Sequence, residues 1–116
     1  MNRSAGDATE RCALEYLSAH GLTPLARNFR CRCGEIDLVM SDGDVTVFVE
    51  VRHRASSRFG GAAASITPAK RRRLVRAAGL WLARHPETFS RFDVVTTDGA
   101  GRIEWIRDAF AADGSW

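Results

Sequence analysis

From Gly34 to Arg54 the chain reads GEIDLVMSDGDVTVFVEVRHR, apolar residues alternating with polar or acidic ones on both sides of a turn. A period of two is the signature of a strand. Asp42-Gly43 predicts a two-residue type I′ turn, because glycine allows positive φ and aspartate tolerates it. With that loop Ser41 faces Asp44, and each pair outward from the turn sums to the same number. One face of the hairpin pairs Met40 with Val45, Leu38 with Val47 and Ile36 with Val49, and is expected to lie on a core. The other pairs Val39 with Thr46, Asp37 with Phe48, Glu35 with Glu50 and Cys33 with Arg52. Like charges directly opposite in a sheet are unfavourable by about 0.2–1 kcal/mol, so the Glu35, Asp37 and Glu50 cluster asks for a cation, either Arg52 or a bound metal. The alternative is a solvated face carrying ordinary surface charge.

The flanking patterns change from period two to helical spacing. Gly6 to His20 is predicted to be a helix stopped by Gly21, with a stripe of Glu10, Ala13, Leu14 and Leu17. Glu10 heads an apolar stripe, which places it at the rim of the core or in a site, since an unpaired carboxylate against a core is costly. Its position in the first turn also suits the helix dipole. Leu25 to Arg32 reads as a strand with a basic, amide-bearing side of Arg27, Asn28 and Arg30. Ala55 to Ile66 has no period and contains Gly60-Gly61, a connection of functional length that could clamp a substrate. Thr67-Pro68 starts a second helix, Thr as N-cap and Pro in the first turn, running to about His85. Its stripe is Leu74, Ala77, Ala78, Trp81 and Leu82, and one turn back lies Lys70. Arg91 to Thr97 and Arg102 to Ile106 are strands across the turn Asp98-Gly99-Ala100-Gly101, and Phe110 is expected to complete the packing. The order α-β-β-β-α-β-β predicts an α/β or α+β domain, a mixed central sheet flanked by helices.

Composition narrows the class. At 116 residues, 45% hydrophobic and 27% charged, residues 1–116 are expected to form a single domain with one core. No apolar run long enough to cross a membrane occurs, and the first residues lack the apolar core of a signal peptide, so no membrane partner and a cytoplasmic location are expected. Cys12, Cys31 and Cys33 are therefore expected as reduced, buried or half-buried thiols. The lone Cys31-x-Cys33 and the three histidines show no zinc spacing.

The basic residues are more telling than the net charge of +3, because of the 17 all are arginine except Lys70. They cluster at Arg27, Arg30 and Arg32, at Arg52, Arg54 and Arg58, and at Arg71, Arg72, Arg73 and Arg76. Arginine suits bidentate phosphate contact, which points to nucleic acid, with Arg30, Arg54, Arg58, Arg72, Arg73 and Arg76 as the binding set. A genome rich in G and C would explain the arginine excess but not the clustering. Asp37 and Glu50 on adjacent strands, with a cation two residues beyond Glu50, suit phosphodiester hydrolysis assisted by a hard, oxygen-preferring ion such as Mg²⁺.

These residues resemble the D-(x)n-E-x-K pattern of the PD-(D/E)xK nuclease superfamily, whose core order is helix, three strands, helix, strand. More narrowly, GEIDLV, VFVEVRHR, the FGG and TPAK segments and RFDVV look like the YraN-like family of small bacterial proteins, related to Holliday junction resolvases. The resemblance covers about Gly6 to Val95. It implies a restriction-endonuclease-like fold, Mg²⁺ or Mn²⁺ as cofactor, and cleavage of DNA, branched DNA included. It also implies Asp37 and Glu50 as metal ligands, joined by Glu10 from the first helix, with Glu35 as a fourth acid and the Val51 carbonyl as a further ligand. Resolvase-like relatives act as dimers, so a homodimer is implied too, although the sequence marks no dimer face beyond the aromatic Trp105 and Trp116.

One position departs from the pattern. Arg52 stands where the superfamily has lysine, and arginine stays protonated, so it can orient phosphate or stabilise negative charge but cannot act as a base. Lys70, the sole lysine, is the candidate to supplement it. Two functions stay open at this point: a metal-dependent endonuclease with Asp37, Glu50, Arg52 and Lys70 as catalytic residues, or a nucleic-acid-binding module of the same fold with weak or no catalysis. A protein-interaction scaffold is a third class, in which the acidic face would be dispensable.

Overall fold

The computed structural model describes residues 4–53, 66–85, 89–98 and 101–111, with side chains from residue 8 onward. The chain forms helix α1 (Ser4–Ala19), strands β1 (Thr23–Cys31), β2 (Gly34–Asp42) and β3 (Val45–His53), helix α2 (Pro68–Arg84), then β4 (Phe89–Thr97) and β5 (Ile103–Phe110). The five strands make one sheet in sequence order, antiparallel throughout except where β3 runs parallel to β4. A parallel neighbour requires a crossover, and α2 supplies it. The expected α-β-β-β-α-β-β order and mixed sheet are what the structure has.

The sheet is covered on both sides. Ala13 and Leu17 of α1 pack with Leu22, Leu38, Met40, Val47, Val49 and Val95. Leu74, Ala77, Ala78 and Trp81 of α2 pack with Val39, Phe48, Phe92 and Val94. The second face of the hairpin, expected to be half polar, is therefore largely core. Val39 and Phe48 were the signal of this, and α2 is the layer that buries them.

The hairpin register differs from the expected one. Asp42 pairs with Val45, Ser41 with Thr46 and Val39 with Phe48, so the loop is Gly43-Asp44. Gly43 has φ +62 at the first loop position while Asp44 has no positive φ, the pattern of a type II′ turn. The shifted register no longer sets Glu35 opposite Glu50, and on the other side of β2 Glu35 pairs with Arg30 of β1.

The segment that begins β2 is fixed by a close approach. A Cβ added to Gly34 would stand 2.8 Å from the Arg73 carbonyl oxygen, so the backbone of α2 lies directly on the β1–β2 turn. Gly34→Ala must push helix and turn apart, an overpacking cost of about 1–3 kcal/mol. A lowered urea midpoint with an unchanged m-value is the expected result.

Cys12, Cys31 and Cys33 are free thiols, and Cys12 on α1 is exposed, unlike the half-buried pair Cys31 and Cys33. Trp105 is occupied within the fold, its ring edge-on to Tyr16 and His20 with the Arg107 guanidinium 4.0 Å above it. Trp116 lies outside the described residues. Phe110 is buried against Phe92, as expected. No helix among the described residues is long and apolar enough to cross a membrane.

Candidate functional site

The site forms where β2 and β3 part. Their ladder runs from the turn to the pair Leu38 and Val49. One step beyond, the Val51 N–H donates to Asp37 Oδ2 at 2.8 Å, so a side chain takes up a strand backbone donor. On β1, Asn28 adopts φ +54 between the pairs Arg27–Leu38 and Phe29–Ile36, beside Asp37. Asparagine tolerates that left-handed conformation better than most residues. Alternation along β3 puts Glu50 and Arg52 on one side, and the α2 helix brings Lys70 over them.

Glu50 is the centre of the cluster. Its side chain is 4% exposed, and its Oε2 lies 3.0 Å from Lys70 Nζ and 3.5 Å from Arg52 Nη1. Lys70 is held there by the start of α2: Thr67 is the N-cap, its Oγ1 accepting the Lys70 N–H at 3.1 Å, with proline in the first turn. Burial and the neighbouring Asp37 push the Glu50 carboxyl up to about 7, against the pull of Lys70. Burial likewise raises Asp37, opposed by the Val51 N–H and Lys70. Two buried carboxylates side by side, each resisting ionisation, form a pair that a cation relieves.

The sign of the pH dependence follows. The native state keeps the Glu50 proton up to about 7, whereas the unfolded chain loses it near pH 4.5. Between those values the native state binds more protons, so stability falls as pH rises through the window and levels above it. The expected loss is of order 3 kcal/mol at most. Urea midpoints at pH 5, 6, 7 and 8 should show the decline in metal-free protein, and Glu50→Gln should flatten it.

Asp37, Glu50, Arg52 and Lys70 are thus brought together as the sequence suggested. Glu10 lies one turn before the fully buried Ala13 on α1, with its Oε1 buried. Glu35 is engaged elsewhere, its Oε2 3.1 Å from Arg30 Nε. Among the described residues no three acidic, histidine or cysteine side chains converge as one metal-ligating group, so neither Glu10 nor Glu35 joins Asp37 and Glu50 in this arrangement. Val51 contributes its N–H to Asp37. Arg30, Arg72, Arg73 and Arg76 are exposed. Arg54, Arg58 and most of the Ala55 to Ile66 connection lie outside the described residues, although Ile66 itself is buried in the α2 core.

Two charged residues in the interior had no assigned role. Arg71 is buried, its Nη1 donating to the Ile66 carbonyl at 2.9 Å, so it anchors the start of α2 and is not on the basic surface. Asp93 is fully buried in β4 and accepts from Arg91 Nε at 3.0 Å, Trp105 Nε1 at 2.9 Å and the Asp108 N–H at 2.9 Å. A lone aspartate in the apolar run RFDVV was the available signal, because such a group must find partners.

Residues 9–97 match the Uncharacterised protein family UPF0102. The chain is 60% identical over 112 residues to a UPF0102 protein of Alkalilimnicola ehrlichii, covering 94% of this chain and 88% of that one. It is 58% identical over 108 residues to a UPF0102 protein of Halorhodospira halophila, covering 93% and 88%. A relative from Ralstonia pickettii is 57% identical over 119 residues, covering 97% and 94%. The family match takes in both strands of the Asp37 and Glu50 site and the Lys70 helix, and with relatives alike over nearly their whole length, this chain belongs to the UPF0102 family.

Proposed function

We propose that this protein is an endonuclease of the PD-(D/E)xK type that hydrolyses DNA phosphodiester bonds with Mg²⁺ or Mn²⁺, acting on branched DNA by analogy with the resolvases its sequence resembles. The observation that carries the reading is the buried pair of carboxylates, Asp37 and Glu50, with Lys70 Nζ 3.0 Å from Glu50. Their oxygens are the hard donors such an ion prefers, and their mutual repulsion is what a divalent cation would offset. Asp37 and Glu50 would hold the ion, and Glu10 and Glu35 would need to move to contribute. When bound, the ion lowers the pKa of attacking water and neutralises charge developing on the phosphoryl group.

The chain's own residues do the rest of the work in this reading. The Val51 N–H fixes one Asp37 oxygen and so orients the carboxylate. Lys70 and Arg52, now turned to Glu50 Oε2, are within reach of a phosphate drawn to the same place and would donate to its non-bridging oxygens. A guanidinium offers donors and no acceptor, so the part of Arg52 is electrostatic. Exposed Arg72, Arg73 and Arg76 on α2 give sequence-independent attraction to the DNA backbone.

One observation favours a second reading, a nucleic-acid-binding module without catalysis: two cations already stand on the same Glu50 oxygen. Incubating the protein with linear, flapped, single-stranded and four-way DNA in Mg²⁺ or Mn²⁺ separates the two. Metal-dependent cleavage that EDTA stops is the expected result, and retained binding with no cleavage by clean protein would establish the module instead.

A further inference from the structure

Beside the Asp37 and Glu50 pair, a cleft of about 300 Å³ opens between the β1–β2 turn and α2, with Arg30, Gly34, Glu35, Lys70 and Arg73 in its lining. Lys70 belongs to both places, since its Nζ leaves the cleft to meet Glu50 Oε2 at 3.0 Å. With Lys70 committed to Glu50, Arg30 and Arg73 against a single carboxylate leave the cleft electropositive. That carboxylate, Glu35, is bonded to Arg30 at 3.1 Å, and the two side chains are 44% and 57% exposed. The walls are fixed, because the α2 backbone at Arg73 rests on Gly34 with no room for a Cβ.

We propose that this cleft seats a backbone phosphate of the nucleic acid, the neighbour of the one at the Asp37 and Glu50 pair, and that Glu35 occupies the Arg30 guanidinium until that phosphate displaces it. The inference rests on reading the Asp37 and Glu50 pair as a phosphodiester site. Arg30 and Arg73 face an anion from two walls, and guanidinium forks match phosphate oxygens bidentately. An exposed arginine–glutamate pair is weak, so a phosphate carrying the same kind of oxygens and drawn by the Arg30 and Arg73 guanidinium groups replaces it readily. Glu35, opposite Arg30 on β1, then holds the place of the substrate anion.

The test is anisotropy of a labelled four-way DNA junction titrated with full-length protein in EDTA, over a series of salt concentrations. Glu35→Gln frees Arg30 and removes a repelling charge, so its affinity is expected to rise about threefold or more. Arg73→Gln is expected to bind about tenfold more weakly, with the slope of log affinity against log salt reduced by about one. In the Glu35→Gln background, Arg30→Gln should cancel the gain. Unchanged or weaker binding by Glu35→Gln, or an unchanged salt slope in Arg73→Gln, overturns the inference. Circular dichroism of each exposed-residue variant verifies the fold. No metal is present and no bond is cut, so this failure is separate from failure of the metal reading, which the Asp37→Asn metal response reports.

Discussion

Glu50→Gln is expected to lower metal-dependent DNA cleavage by at least about 100-fold while leaving DNA binding in EDTA close to that of the unaltered protein. The substitution is nearly isosteric and keeps an acceptor for Lys70, but it removes the charge that a divalent ion needs in a site where the side chain is only 4% exposed. In the proposed reading binding draws mainly on the arginines, so it should survive. Lys70→Ala forms the second arm: it should also lose cleavage but keep the metal-induced stabilisation, since in the proposed reading the lysine would compete with the ion for Glu50 and act on phosphate. Equal cleavage rates for Lys70→Ala and the unaltered protein would remove Lys70 from the reaction, and a Glu50→Gln enzyme of full activity would move the reaction elsewhere.

The largest effect on stability is expected at Asp93. Asp93→Ala strips a fully buried carboxylate from Arg91, whose side chain is 18% exposed, and leaves the Trp105 indole N–H and the Asp108 N–H without their acceptor. Breaking a buried ion pair from one side costs about 3–5 kcal/mol, because the remaining charge stays desolvated. Asp108 adopts φ +52 at the point where the β4–β5 register shifts, so the Asp93 side chain also secures an irregular stretch of β5. Arg91 retains its 3.0 Å bond to Asp42, which ties β4 to the end of β2 and limits the damage. Thermal melting of Asp93→Ala should fall by more than about 10 °C, whereas Asp93→Asn, which keeps an acceptor oxygen, should fall by less. A melting temperature within a degree or two of the unaltered protein would show that the network contributes little.

Local chemistry made most of the fold legible. Thr67-Pro68 announces α2 because an N-cap hydroxyl and a missing N–H both suit the first turn, and the structure has that bond from Lys70 N–H to Thr67. The stripe from Leu74 to Trp81 then pointed back to Lys70, which reaches Glu50 from the neighbouring layer. The hairpin register was harder for a physical reason. Moving the loop from Asp42-Gly43 to Gly43-Asp44 changes every partner by two residues, which leaves each side chain on the same face, so the hydrophobic pattern cannot distinguish the two. Glycine serves the second position of one turn type and the first position of the other equally well.

That shift has chemical consequences, because it takes Glu35 away from Glu50 and brings Asp37 and Glu50 into contact. The charge crowding inferred from the alternating acids was therefore real, but its members differ. Asp93 was only partly legible, because Arg91 is two residues away on the same strand whereas Trp105 and Asp108 are 12 and 15 residues away. Arg71 escaped notice because a run of three arginines reads as surface, while a helix turns every third or fourth residue inward.

The most direct measurement is the melting temperature of the unaltered protein and of Asp37→Asn at pH 8, each with and without millimolar Mn²⁺ or Mg²⁺. Without metal, Asp37→Asn should melt higher, because a buried carboxylate next to Glu50 becomes neutral while its side-chain oxygen can still accept the Val51 N–H. With metal, the unaltered protein should gain several degrees, as expected of any ion that binds only the native state, and Asp37→Asn should gain none. An equal metal-induced gain in both proteins, or none in the unaltered protein, would contradict a metal site at Asp37 and Glu50.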